Sequence, residues 1–293
     1  MRIVFIGTVD FSESSLRKLV QIKSKPVGVC TSKDLRSNSD YVNLLPFCKK
    51  NNIPTHLTNN INSKKTLKWI KGCKPDIIFC FGWSRLLKTE ILSTAPMGVI
   101  GYHPSALPKN RGRHPIIWSL VLGLKETASS FFFMDKGADS GDILSQKKIN
   151  ISKNDNAQTL YSKLIYTSLE QIETFIPQLI SGKYERIVQD NKEANTWRKR
   201  RIEDGKIDWR MPASLIDNLV RGLSKPYVGA HFSINDKEYK VWDTEVITNS
   251  KINIEPGKII FLENNIPIIK TGIDSIKLLD VEPFLKFELG KFI

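Results

Sequence analysis

His103 and Asp139 are the residues of this chain best suited to acid–base work. An imidazole changes charge near neutral pH, and a neighbouring carboxylate stabilises its protonated form and fixes its ring. Such a pair serves reactions in which a proton is taken from one group and given to another. His103 follows the apolar run GVIGY and precedes Pro104, while Asp139 sits in the Gly- and Asp-rich stretch DKGADSGD, from Asp135 to Asp142. A histidine at the end of a strand often has only a structural role, and an aspartate in a D-x-G turn often does no more than cap its loop. The meaning of the pair therefore rests on the elements that carry it.

Those elements repeat. RIVFIG, KPVGVCTS, DIIFCFGW and GVIGYHPS are short apolar runs that read as strands. Helical spacing appears between them at Ser12 to Leu19, Tyr41 to Asn51 and Lys64 to Gly72. Alternating strand and helix implies an α/β fold with a Rossmann-like, doubly wound, mostly parallel sheet, which binds ligands at the carboxyl ends of its strands. Gly82 and His103 stand at such ends. Gly7 stands alone where a dinucleotide site needs G-x-G-x-x-G, which excludes a nicotinamide or flavin turn. Two extended runs flank the 135–142 loop, and a helix is expected from about Ala157 to Ser181 with Leu160, Leu164, Leu169, Ile172 and Phe175 on its apolar side. Residues 1–190 are then a catalytic domain and 191–205 a basic linker carrying Arg198 to Arg201. Residues 206–293 form a small β-rich domain of the OB type, with the runs HFSI, EYKVW, KIIFL, IPIIK and IKLLDV as its strands.

The bulk numbers agree with an ordinary folded protein. The chain has 293 residues, 41% hydrophobic and 25% charged, enough for two domains without staples. Its 44 basic and 30 acidic residues give +14, which favours anionic partners. Cys30, Cys48, Cys73 and Cys80 show no C-x-x-C spacing and read as reduced core thiols. The start has no signal-peptide pattern, and no run approaches the roughly 18 apolar residues of a membrane span, so a cytoplasmic protein with no membrane partner is expected. Nothing in the sequence calls for a metal.

The residues around the pair carry a family resemblance. Gly101-Tyr102-His103-Pro104-Ser105-Ala106-Leu107-Pro108, then Arg111-Gly112, then Asp139-Ser140-Gly141-Asp142 resemble the signature of the 10-formyltetrahydrofolate-dependent formyltransferases. FIGTVDF, FCFGWSRLL and RRIEDGKIDWRMPASLIDNLVRGLSKPYVGAHF extend the likeness over nearly the whole chain. The resemblance implies that His103 shuttles protons and that Asp139 stabilises its imidazolium. It also places an asparagine, which polarises the formyl oxygen, where this chain has Gly101. Tyr102 is expected to face away from His103, so the oxyanion would be met by His103 itself, by a backbone N–H, or by water in the space left by the missing side chain. For 10-formyltetrahydrofolate, the co-substrate, the resemblance implies Arg85, Leu86 and Leu87, the loop Asp135, Lys136, Gly137, Ala138 and Asp139, and Arg113. Ser105, Arg111, Arg200 and Arg201 are expected on the acceptor side.

Two acceptors occur within that family, initiator methionyl-tRNA and nucleotide-linked amino sugars. Charge leans towards tRNA. RGRHPIIW in place of R-G-A-A-P-I-Q, a short and nearly neutral loop SKDLRSNSDY after the second strand, and the paired Arg200 and Arg201 lean towards a nucleotide-linked 4-amino-deoxysugar destined for a cell-surface glycan, with tRNA second. A homodimer is compatible with either. A third reading is a non-catalytic nucleic-acid-binding relative using Tyr239, Trp242 and Lys240. It is weakened by the expectation that alternation sets Lys240 opposite both aromatics.

Overall fold

A computed structural model describes residues 1–32, 39–248 and 253–293. The core of the loop after the second strand, residues 33–38, lies outside the described residues, so the expectation attached to that loop has no structural counterpart here. In chain order the elements are β1 (Ile3–Ile6), α1 (Asp10–Gln21), β2 (Gly28–Thr31), α2 (Leu45–Lys50), β3 (Thr55–Leu57), α3 (Lys64–Gly72), β4 (Ile77–Cys80), α4 (Thr89–Leu92), β5 (Val99–His103), β6 (Arg111–Gly112), α5 (Pro115–Val121), β7 (Glu126–Phe133), β8 (Ile143–Asn150), α6 (Ala157–Ser181) and β9 (Thr196–Trp197). They continue with α7 (Ala213–Leu223), β10 (Ala230–Ile234), β11 (Lys237–Ile247), β12 (Ile259–Glu263), β13 (Ile266–Lys270) and β14 (Ser275–Glu282).

The chain divides into two compact units, residues 1–115, 127–149 and 162–197 in the first, and 116–126, 150–161 and 198–293 in the second. The first holds a seven-stranded sheet in the order β3-β2-β1-β4-β5-β7-β8. β1 pairs parallel with β2 and β4, β2 with β3, and β4 with β5, whereas β7 runs antiparallel to β5. This is the mostly parallel α/β sheet the alternation implied. IVFI and IIFC are buried along their whole length, as strands covered on both faces must be. Because β1 neighbours both β2 and β4, the chain reverses direction across the sheet between β1 and β4, and the crevice beyond their carboxyl ends is where open sheets take ligands.

The helices follow their apolar spacing, with one correction. α1 buries Phe11, Leu16 and Leu19, and α6 buries Leu164, Ile172 and Phe175, the last edge-on to Phe131. The expected helix from Tyr41 begins only at Leu45. Tyr41 bridges Val9 and Val42 N–H donates to the Thr8 carbonyl, so the backbone ahead of Leu45 is spent on the exit of β1.

The second unit carries a five-stranded antiparallel sheet, β10-β11-β14-β13-β12, with α7 among its core elements. The five β-type runs of the sequence become its five strands. Trp209, Phe232 and Tyr239 contact in series over a core with Ile216, Val220 and Ile276. Lys240 and Trp242, two apart on β11, both come against Gly229 and share one face, so only Tyr239 stands opposite the lysine. Lys240 Nζ is paired with Glu238 at 2.8 Å, and Trp242 Nε1 donates to Glu282 at 2.9 Å. No helix among the described residues is long and apolar enough to cross a membrane.

Candidate active site

β5 ends at His103, whose ring is buried at the carboxyl rim of the sheet. Its Nε2 lies 2.8 Å from the carbonyl oxygen of Asn110, an acceptor only, so Nε2 carries a proton. Nδ1 is then left facing Asp139 Oδ2 at 3.6 Å, too far for a hydrogen bond and within ion-pair distance of a protonated ring. The carboxylate is aimed by the Gly112 N–H, which donates to Oδ2 at 2.9 Å. Two neighbouring residues of one short segment, Asn110 and Gly112, thus hold the two reactive side chains through main-chain groups. Gly112 has φ +100°, and a Cβ there would meet the Trp197 carbonyl oxygen at 2.4 Å, so only glycine serves.

The loop from Asp135 to Asp142 folds on itself. Asp135 Oδ1 accepts from Gly137 N–H and Ser140 Oγ, each at 2.8 Å, while Lys136, Gly137 and Ala138 are exposed. Asp139 itself takes φ +56°. Gly141 lets the loop close, because a Cβ there would sit 1.8 Å from the Phe133 carbonyl oxygen.

Gly101 lies two residues before His103 and pairs with Cys80 and Phe132. A Cβ at this position would meet Met134 Cγ at 2.8 Å and the Phe132 ring at 3.0 Å. The space is therefore filled by apolar side chains, which removes a water beside Gly101 from the three ways of meeting the oxyanion. Tyr102 faces the other side, 4.2 Å from Phe11 and 5.0 Å from Phe131 between ring centroids, and burial pushes its hydroxyl pKa up.

The remaining predicted residues divide. Leu87 is buried in a cluster with Ile91 and Val99, whereas Leu86 is exposed and Arg85 reaches the Asn59 carbonyl. Asn62, which the sequence did not single out, pins this segment by donating to Leu86 O at 2.9 Å and accepting from Lys88 N at 2.8 Å. Arg113 Nη1 donates to Ser84 O at 2.8 Å, linking the segment after β4 to the one after β5. Ser105 is buried and its hydroxyl donates to Lys109 O at 3.1 Å; Arg111 is buried against Gln189 and Asn191. Both are engaged inside the protein.

Arg200 and Arg201 belong to the second unit. There the Arg200 guanidinium lies 4.7 Å from the centre of the Trp118 ring, and burial pushes its pKa down. Asp204, held well below the usual carboxylate range first by the bond from Arg198, also accepts from Arg201 N at 2.6 Å. The basic run is thus largely engaged with Asp204 and Trp118. Residues 191–197, the first part of the expected basic linker, lie in the first unit, where β9 pairs parallel with β6, and Ile187 ahead of them bridges Ile143.

One buried polar atom just past β4 tests the fit of a ligand. Trp83, just past β4, packs against the cluster that includes Leu87 and Ile91, a cluster that Met134 also packs against. Its Nε1 is buried without a hydrogen-bond partner among the described residues. A stranded donor in an apolar wall suits a flat heterocycle bearing acceptor atoms.

Residues 1–173 match the formyl transferase family model, and residues 200–287 match that of the formyl transferase C-terminal domain. The chain belongs to the formyl transferase family. It is 33% identical over 287 residues to the methionyl-tRNA formyltransferase of Caldanaerobacter subterraneus subsp. tengcongensis, covering 96% of this chain and 92% of that one. Among solved structures, WlaRD, a sugar 3N-formyl transferase in the presence of dTDP and 5-N-formyl-THF, superposes with a TM-score of 0.70 at 21% identity over 97% of this chain and 99% of that one. The N-formyltransferase from Helicobacter canadensis, in complex with folinic acid and dTDP-3-aminofucose, gives 0.69 at 20% identity over 95% and 98%. The α/β unit and the antiparallel β-rich unit are thus the two domains of a formyl transfer enzyme.

Proposed function

We propose that this enzyme moves a formyl group from 10-formyltetrahydrofolate to the amine of a nucleotide-linked amino-deoxysugar, with His103 and Asp139 as the reacting groups. The observation that carries the site is the 3.6 Å approach of His103 Nδ1 to Asp139 Oδ2, with Nε2 and the carboxylate each held by a second bond. When bound, the folate supplies the formyl group and departs as tetrahydrofolate. Trp83 Nε1 and the apolar wall around Leu87 and Met134 would hold its heterocycle. His103 Nδ1, its other nitrogen already a donor, takes the proton that the acceptor amine loses on bonding to the formyl carbon. Asp139 stabilises the resulting imidazolium. His103 then delivers that proton to the folate nitrogen as the bond to the formyl carbon breaks. With the Gly101 side closed by Met134 and Phe132, the developing oxyanion is met by the imidazolium N–H or by a backbone N–H.

For the acceptor, support comes from RGRHPIIW after the histidine and from the dTDP and dTDP-aminosugar ligands of the two structural relatives. A methionyl-tRNA acceptor is the second reading, favoured by full-length identity to tRNA enzymes and by the +14 charge. The test incubates the protein with 10-formyltetrahydrofolate and UDP-, dTDP- and GDP-linked amino sugars, beside charged initiator tRNA, and reads a formyl mass increment. Formylated methionyl-tRNA with no formylated sugar would replace the first reading by the second.

A further inference from the structure

The two family matches leave residues 174–199 uncovered, and that interval contains a side chain aimed at the back of the acid loop. Gln189 is buried, and its single amide nitrogen donates to the Asp139 carbonyl at 2.9 Å and to the Gly141 carbonyl at 2.6 Å. Both of its N–H bonds are thereby used. Its oxygen accepts from Arg111 Nε at 3.1 Å and Nη2 at 2.8 Å, and since arginine only donates, the amide has one possible orientation. Arg111 Nη2 also reaches Asn191 Oδ1 at 2.9 Å, and Arg111 N–H is fixed by Asn195 O at 3.0 Å. The circuit closes through the next residue, because Gly112 N–H donates to the Asp139 carboxylate.

Asp139 needs such support. Its φ of +56° lies in the left-handed region, which aspartate enters more readily than most residues and still at a cost that fixed contacts offset. The backbone of the acid is clamped by Gln189, its carboxylate by Gly112, and both lead to the segment whose Asn110 carbonyl holds His103. We propose that Gln189 is a positioning residue that fixes Asp139, and through Arg111 the segment 110–112, in register for proton transfer with His103. This inference rests on the reading of His103 and Asp139 as the reacting pair.

Gln189→Glu separates positioning from mere filling. It keeps an acceptor for Arg111 and turns the two bonds to carbonyls into oxygen–oxygen repulsion. The Gly112 amide resonance reports the Asp139 carboxylate directly, without any substrate, with Asp139→Ala as the reference for its loss. In Gln189→Glu that resonance is expected to move upfield towards the Asp139→Ala position. The kcat, measured with the acceptor that turns over in the panel above, is expected to fall at least tenfold, with KM for both substrates within twofold. A folded variant with an unmoved Gly112 amide, or with kcat within twofold of wild type, overturns the proposal. If Gln189→Glu does not fold, Asn191→Ala, at an exposed residue bonded to the same guanidinium, carries the test. It is expected to give a smaller shift in the same direction and about a threefold loss of kcat, and no change in either overturns the proposal. Full turnover in Asp139→Ala would instead remove the reading of the reacting pair, whereas an inactive Asp139→Ala beside a normal Gln189→Glu would remove only the role of Gln189.

Discussion

Restoring an asparagine at Gly101 should harm this enzyme. The new Cβ would stand 2.8 Å from Met134 Cγ and 3.0 Å from the Phe132 ring, inside ordinary contact distance. Phe132 is the cross-strand partner of Gly101, and its ring is buried, so it has little room to retreat. Overfilling a packed site of this kind costs about 1–3 kcal/mol. At roughly 2–4 °C per kcal/mol for chains of comparable size, the expected fall in Tm is about 2–12 °C. Turnover should gain nothing, although one oxyanion donor elsewhere is worth about 10²–10³ in rate. Adding Met134→Ala removes the closer obstacle and is expected to recover at least half of the lost Tm. The measurements are a thermal melt and a steady-state rate for the wild type, Gly101→Asn and the double variant. A single variant that melts like wild type and turns over faster would refute the filled-pocket account, because it would mean that an amide fits where apolar atoms now stand.

Other expectations concern neighbouring groups. Asp139→Asn keeps a side-chain acceptor for the Gly112 N–H and a residue type that tolerates positive φ, so the melt should stay within about 2 °C of wild type while kcat falls by about 10²–10⁴; a near-normal rate would misplace the acid. His103→Ala should abolish transfer in a folded protein, as read by formyl mass increment. Trp83→Phe removes the buried Nε1 donor and keeps most of the ring; calorimetric affinity for tetrahydrofolate should weaken about five- to tenfold, the size of one lost hydrogen bond, and an unchanged affinity would mean that this donor meets no ligand. In the second unit, burial lowers the His231 pKa, against the opposing pull of Glu238. A depressed histidine binds fewer protons folded than unfolded, so its stability contribution is whole above 6.5, the unfolded value, and is lost as the pH falls through the lower folded value. The Tm of His231→Gln should decline less steeply below pH 6.5 than that of the wild type.

The strands were legible because both faces of β1 and β4 are covered, which leaves unbroken apolar runs, and α6 because its apolar spacing continues for several turns. Tyr41 to Leu44 misled for the converse reason: the spacing was helical, but the backbone is consumed by contacts with Thr8 and Val9 that no local pattern records. In the site, His103, Asp139 and Gly112 were readable as residue types in a motif. The Asn110 carbonyl that fixes the His103 tautomer was not, because any residue has a carbonyl. Gln189 and Asn62 were invisible for a related reason. Each bonds main-chain groups distant in sequence, so neither has a spacing partner.

That dependence on main-chain groups bears on how the acceptor is chosen. Among the contacts that set the reacting pair, Asn110 offers a carbonyl, Gly112 an N–H, and Asp139 and Gly141 carbonyls. On the proposed reading, side-chain identity matters in these contacts at His103, Asp139, Arg111 and Gln189, and the lack of a Cβ matters at Gly112 and Gly141. Most surface residues around this frame can change without moving the proton-transfer geometry. Retention of this frame contributes to the identity with tRNA enzymes along the chain, alongside any shared acceptor. Arg113, His114 and Ile117 are where RGRHPIIW departs from the R-G-A-A-P-I-Q of the tRNA enzymes, so on the proposed reading these are the first side chains to exchange in a test of acceptor choice.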